Sequence, residues 1–318
     1  MPTRFAFARS PATMHPMPGG PTVSIVMGAY NAQRYLAQTL DTLLAQTFGD
    51  FELIVADDGS TDRTPHILEE YHRKDARVRP MRIAHGGIVD AANAGLQAAR
   101  CELIARADSD DLYMPDRLEK QVKFLAEHPE VAAVGGRMLV IEPYGSPIRV
   151  SDHKLTHEEI EADLLKGFGW AMPQPITMMR KSVAMKVGAY RHDYPWSEDL
   201  DLFLRMAEAG RLANLPDVLC KYRNHPGSTN WNKYKIQLAN KPTLIRAAYE
   251  RRGLPMPEGL EFKTAWEQPP ADRYMFWTWA ALRDKNVYGA RRHAWSALRA
   301  APLSKAAWKA AYCALRGY

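Results

Sequence analysis

The chain lacks any uninterrupted apolar run of about 18 residues, so no segment reads as a membrane-spanning helix. Cysteine is scarce. Cys101, Cys220 and Cys313 are odd in number, far apart and without a C-x-x-C pair, which excludes a disulfide framework and a structural zinc site and fits a reduced, cytosolic setting. No glycine pattern of a dinucleotide fold or a P-loop follows any candidate strand. There is no zinc-finger or RNA-binding signature, so no nucleic-acid partner is expected. Acidic residues are missing from one region altogether: after Asp284 the chain carries Lys285, Arg291, Arg292, Arg299, Lys305, Lys309 and Arg316 and no Asp or Glu.

What is present suffices for a large folded body. The 318 residues are 46% hydrophobic, enough for one large domain, or one domain with an appendage, around a buried core. The net charge is +6, so the tail alone accounts for the excess and the remainder is close to neutral. Residues 1–21 hold five prolines and no continuous apolar stretch, and are expected to be a flexible leader, not a signal peptide.

From Thr22 short apolar runs alternate with helical stretches. Strands are expected at Val23–Met27, Glu52–Ala56, Val78–Ile83 and Leu103–Ala105, and helices at Ala32–Gln46, Thr64–Arg73, Gly87–Ala99 and Pro115–His128. Such alternation implies right-handed crossovers and an α/β fold whose sheet is mostly parallel and covered by helices. Polar clusters follow three of the strands: Gly28-Ala29-Tyr30-Asn31, Asp57-Asp58-Gly59-Ser60-Thr61-Asp62 and Asp108-Ser109-Asp110-Asp111. In a parallel sheet these strand ends share one edge, where α/β proteins bind ligands. Carboxylates gathered there repel unless they hold a metal or accept hydrogen bonds. An Asp-x-Asp offers two hard oxygen donors suited to a divalent ion that keeps phosphate oxygens as other ligands. The competing explanation of the Asp57–Asp62 cluster is turn and helix-cap chemistry.

These segments, with Gly86-Gly87, Ala92-Asn93-Ala94-Gly95, Met114-Pro115-Asp116-Arg117-Leu118, Gly188-Ala189-Tyr190 and Trp196-Ser197-Glu198-Asp199, resemble the successive motifs of family 2 glycosyltransferases. The resemblance runs from Thr22 to Thr229. It implies the GT-A fold in residues 22–231, an inverting transfer of one sugar from a nucleotide-diphosphate sugar, and a glycan or lipid-linked acceptor in bacterial surface polysaccharide synthesis. It also implies roles. Ala29 and Tyr30 lie against the base, which is commonly uracil, and Asp57 or Asp58 accepts a hydrogen bond from it. Asp108 faces the ribose and Glu198 the donor, and Asp110 ligates Mg²⁺ or Mn²⁺ on the diphosphate. Asp199 is the base, and His225, in the loop Tyr222–Ser228, is a further metal ligand or phosphate donor. The basic groups of that loop would close over the diphosphate. Gln174 stands where the family often has histidine, and no role is given to it. The processive Gln-x-x-Arg-Trp signature is absent, which favours single additions.

Three lesser readings belong beside these. Ser197 would cap the helix that carries Glu198 and Asp199, Asp201 and Arg205 would pair across one turn, and Thr156 with Glu159 fits a capping box. Residues 232–318 are expected to be an all-helical extension. Its last part, 291–318, is either an amphipathic helix meeting anionic lipid at the inner face of the cytoplasmic membrane, or an appendage that buries its tryptophans against the catalytic domain or a second subunit. Two other functions remain open: a sugar nucleotidyltransferase, and a non-catalytic sugar-nucleotide-binding subunit.

Overall fold

The computed structural model describes residues 20–262 and 269–317; the expected leader up to residue 19 and Trp266 lie outside them. The first half is β1 (Val23–Ala29), α1 (Leu36–Leu44), β2 (Phe51–Asp57), α2 (Thr64–Lys74), β3 (Val78–Arg82), α3 (Ile88–Ala98) and β4 (Leu103–Asp108). Next come β5 (Leu112–Tyr113), α4 (Arg117–Glu127), β6 (Val131–Ile141), β7 (Pro147–Val150), α5 (His157–Leu164), β8 (Met178–Arg180), α6 (Lys181–Lys186), α7 (Glu198–Ala209) and β9 (Arg211–Arg223). The remainder is helical: α8 (Thr229–Asn232), α9 (Tyr234–Arg252), α10 (Pro270–Arg283), α11 (Val287–Ala300) and α12 (Lys305–Arg316).

The nine strands of the described residues form one sheet in the order β3-β2-β1-β4-β8-β6-β9-β5, with β7 paired to β6. The parallel character holds from β3 to β4 and again between β6 and β9. The remaining pairs, β4–β8, β8–β6, β9–β5 and β6–β7, are antiparallel, so the second half is mixed. Because β2 and β4 lie on opposite sides of β1, the chain reverses direction across the sheet there, and the crevice above those strand ends is the natural ligand site. Strand alternation divides the core. Ile25, Met27, Leu53 and Ala105 face Leu36, Leu40 and Leu43 of α1. Val26, Ile54 and Ile104 face α3 and the layer formed by α5, α7 and α9.

Chain punctuation explains the later helices. α10 opens on Pro270, whose missing N–H would be unpartnered in a first turn anyway. The Ser304 hydroxyl accepts the Ala307 N–H at the start of α12. α9 ends on Gly253 at φ 63°, a conformation glycine adopts without a Cβ penalty. The segment expected to be helical from residue 232 divides in two. α9 buries Leu244, Ile245 and Ala248 in the core of the sheet. α10–α12 pack around their own alanine-rich cluster. That unit docks on the β6–β7 turn: His293 meets the buried Glu142 carboxylate at 2.5 Å, and Asn286 Nδ2 donates to Ser146 Oγ at 3.0 Å.

Two expected caps take a different form. Ser197 precedes α7 but makes no side-chain bond to it; Asp199 Oδ1 takes the Leu200 N–H instead, at 2.7 Å. Thr156 Oγ1 donates to Glu159 Oε2 at 2.8 Å, and neither side chain reaches the backbone of α5. The Asp201–Arg205 pair forms as expected, buried, at 2.6 Å.

α3 crosses β1 closely because Gly95 has no side chain: a Cβ there would lie 2.4 Å from Val26 Cγ1 in the core. Gly95→Ala should therefore lower unfolding free energy by about 1–3 kcal/mol in urea denaturation; an unchanged midpoint would contradict this packing.

Candidate active site

The three polar clusters meet at the reversal point through backbone pairing. Ala29 is in register with Asp57, and Gly28 with Asp108. β4 runs three residues beyond the expected Ala105, to Asp108, because a strand end is set by its ladder and not by hydropathy. Immediately after the acidic turn, Leu112 and Tyr113 pair with Lys221 and Cys220 of β9. That two-residue strand brings positions far apart in sequence together: His225 Nε2 lies 2.8 Å from Asp110 Oδ2.

Asp108, Asp110, Glu198 and Asp199 line one cleft of about 660 Å³, together with Trp170, Gln174, Tyr222 and Lys241. Burial, and then the charge of Asp110, push the Asp108 carboxyl up to about 6. Burial and the adjacent Asp199 push Glu198 up to about 8, and its Oε2 has no partner. Burial also raises Asp199, opposed by the Leu200 N–H and by the Lys241 and Arg106 cations. Asp111 turns away from the cleft. It is fully buried, its Oδ1 accepts the Arg223 N–H at 2.7 Å, and burial raises its pKa well above the usual carboxylate range.

Ala29, Tyr30, Asp57, Asp58 and His225 do not line this cleft, although His225 touches Asp110, which does. Asp58 is occupied by the fold: its carboxylate accepts the Gly86 and Gly87 N–H groups at 2.8 and 3.0 Å and lies 2.9 Å from His85 Nδ1. Asp57 Oδ1 accepts the Ser60 N–H, while its buried Oδ2 has no partner. Tyr30 stacks on His85 with centroids 4.3 Å apart and is 49% exposed.

Other motif residues hold the site together. Asn93 on α3 makes a two-way bond with the Tyr190 backbone, at 2.8 and 3.1 Å. Arg205 donates to the Val187 and Ala189 carbonyls and, with Arg191, to the buried Asp201. These bonds fix the segment leading into Glu198 and Asp199, where Trp196 adopts φ 66°, an uncommon conformation for a bulky residue. Arg223 departs from expectation. It is buried, donating to the carbonyls of Asp110 and Pro143 and to Gln38, and so braces the acidic turn from beneath instead of closing over a diphosphate.

The sequence did not disclose Arg106, Lys241 or His153. Arg106 is buried within β4, donating to the Val26 carbonyl at 2.9 Å beneath the acids. Lys241 comes from α9, outside every motif. His153 lines the cleft, and burial drives it down to about 4. The only signal for Arg106 was a charge inside an apolar run.

Among the described residues no three His, Cys, Asp or Glu side chains are grouped to hold a cation by themselves. The donor set nevertheless fits a hard divalent ion that keeps ligand phosphate oxygens: Asp110 and His225 converge, with Asp108 beside them.

The sequence pattern of glycosyl transferase family 2 matches residues 24–188. The chain is similar to AmsE, an amylovoran biosynthesis glycosyltransferase of Erwinia amylovora, at 30% identity over 242 residues, 69% of this chain and 87% of that one. Its fold is similar to that of the mannosyltransferase PcManGT from Pyrobaculum calidifontis in complex with GDP-Man and Mn²⁺ (21% identity, TM-score 0.54, 98% of this chain and 85% of that one). It is likewise similar to S. aureus TarS 1–349 in complex with UDP-GlcNAc (19% identity, TM-score 0.54, 93% and 89%).

If Asp199 accepts a proton, it must be ionised, so its raised pKa places the acid limb of kcat/KM above the ordinary carboxylate range, with activity falling as pH drops through it. Lys241→Met removes an opposing cation and should move that limb up by about one pH unit; a pH profile with an unmoved limb would count against the pairing.

Proposed function

The chain belongs to glycosyl transferase family 2 and has the GT-A fold, and from that premise we propose that it is a metal-assisted inverting transferase. It moves one hexose or N-acetylhexosamine from a UDP-sugar to a hydroxyl of a glycan or lipid-linked acceptor during surface polysaccharide synthesis. The observation that supports this is that Asp110 and the half-buried Asp199, in the first turn of α7, line one cleft.

Each residue then has a task its surroundings support. Tyr30 offers an exposed ring to the base, and the unpartnered Asp57 oxygen accepts the base N–H, while Asp58 holds the Gly86–Gly87 turn. Of the similar folds, TarS holds UDP-GlcNAc and PcManGT holds GDP-Man, and the uracil reading follows the first. Asp110 and His225 would hold Mg²⁺ or Mn²⁺, with Asp108 facing the ribose beside them. A cation held there supplies positive charge that stabilises the leaving diphosphate. Asp199 takes the acceptor hydroxyl proton as that oxygen bonds to the anomeric carbon and the sugar–phosphate bond breaks. Glu198, whose carboxyl is pushed upward by burial and by the adjacent Asp199, keeps its proton more readily than an ordinary carboxylate and donates a hydrogen bond to a sugar oxygen.

A coupled assay with UDP-sugars and Mn²⁺ tests this. Asp199→Asn should keep donor binding and lose about 10²–10⁴-fold in turnover, whereas Asp110→Asn should lose manganese-dependent donor binding. Full turnover by Asp199→Asn would remove the base from the scheme.

A further inference from the structure

The cleft explains neither the exposed aromatics nor the charge of α10–α12. On α12 the buried row consists of Ala307, Ala310, Ala311 and Ala314. One flank presents Trp308, Tyr312 and Leu315, respectively 60%, 54% and 68% exposed, and Lys305, Lys309 and Arg316 stand beside them on the side opposite the alanines. A helix evolved only to pack on its neighbours would bury the tryptophan and expose the alanines; here the order is inverted. The Trp308 indole N–H donates to the Pro302 carbonyl at 2.9 Å, so its ring can leave water without stranding a polar group.

α11 repeats the pattern, with Trp295 63% exposed among Arg291, Arg292 and Arg299. Arg291 donates to the carbonyls of Ala314 and Leu315, which joins the two outer surfaces. Seven cations and no acid follow Asp284. Aromatic rings flanked by cations, without carboxylates, complement an apolar layer beneath anionic headgroups. α10, on which α11 and α12 pack, also reaches the site. Phe276 lines the catalytic cleft and, with Trp279, Leu282 and Arg283, a shallow apolar groove of about 380 Å³ on α10.

We infer that α10–α12 form a lipid-seating unit that docks the enzyme on an anionic membrane surface and admits a lipid-linked acceptor to the cleft past Phe276. The acceptor part of this inference rests on the function proposed above; the docking part stands on the surface alone.

The test sediments the full chain with vesicles of phosphatidylcholine, alone or with about 30% phosphatidylglycerol. The anionic vesicles should retain at least about tenfold more protein than the neutral ones, and salt raised to about 0.5 M should release it. The pairs Trp308→Ala with Tyr312→Ala, and Lys305→Glu with Lys309→Glu, should each weaken partition about tenfold, while manganese-dependent UDP-sugar hydrolysis stays at the wild-type rate. Equal retention of the variants, or no retention of the wild type, would overturn the inference. So would a wild-type dimer in light scattering that the same variants convert to monomer without any vesicle binding, which would assign the face to a second copy. Vesicle binding without donor hydrolysis in the wild type would instead remove the proposed activity and leave the docking surface standing.

Discussion

The molecule is organised around carboxylates drawn wholly or partly out of water. Asp108, Asp111, Glu198 and Asp199 are all driven upward in pKa by burial, and Asp110 adds its charge to Asp108 and Asp111. Buried acids in this number are tolerated only where cations and donors face them. The protein supplies Arg106 from within β4, the Arg223 N–H on Asp111, and Lys241 near Asp199. What these leave uncompensated, on the cleft side, matches what a cation and a diphosphate would bring. The binding chemistry and the mutual repulsion of these acids are thus two aspects of one arrangement.

That arrangement depends on parts of the chain distant from it. The two-residue β5 sets Asp110 against His225. The Arg191–Asp201–Arg205 cluster and the Asn93–Tyr190 bonds hold the loop that delivers Glu198 and Asp199. α9 contributes Lys241, and α10 contributes Phe276 to the rim. The helical extension is therefore part of the cleft as well as an appendage to it.

Much of this was legible from residue order, for identifiable reasons. The strands β1, β2 and β4 are buried on both sides, so they appear as apolar runs, and their polar ends stand out sharply against them. The acidic turn after β4 was visible because three acids in four residues rarely follow a buried strand without a use. Beyond β4 the signals fade. β8 is three residues long and β5 two, too short for any periodicity, and their pairings are set by tertiary contacts. Arg106 was unreadable because a core cation in a strand looks like the end of the strand. The tryptophans of the extension were ambiguous because periodicity reports a face without saying what covers it; Trp277 proved fully buried, while Trp295 and Trp308 are exposed.

The central claim is that this acidic cleft becomes complete on receiving a cation-bearing diphosphate. Calorimetric titration of UDP into the protein, with Mn²⁺ and then with a chelator in its place, addresses that claim most directly. The account predicts measurable affinity with the metal and at least about a tenfold loss without it, as repulsion between the acids and the phosphates returns. Equal affinity under both conditions would contradict it.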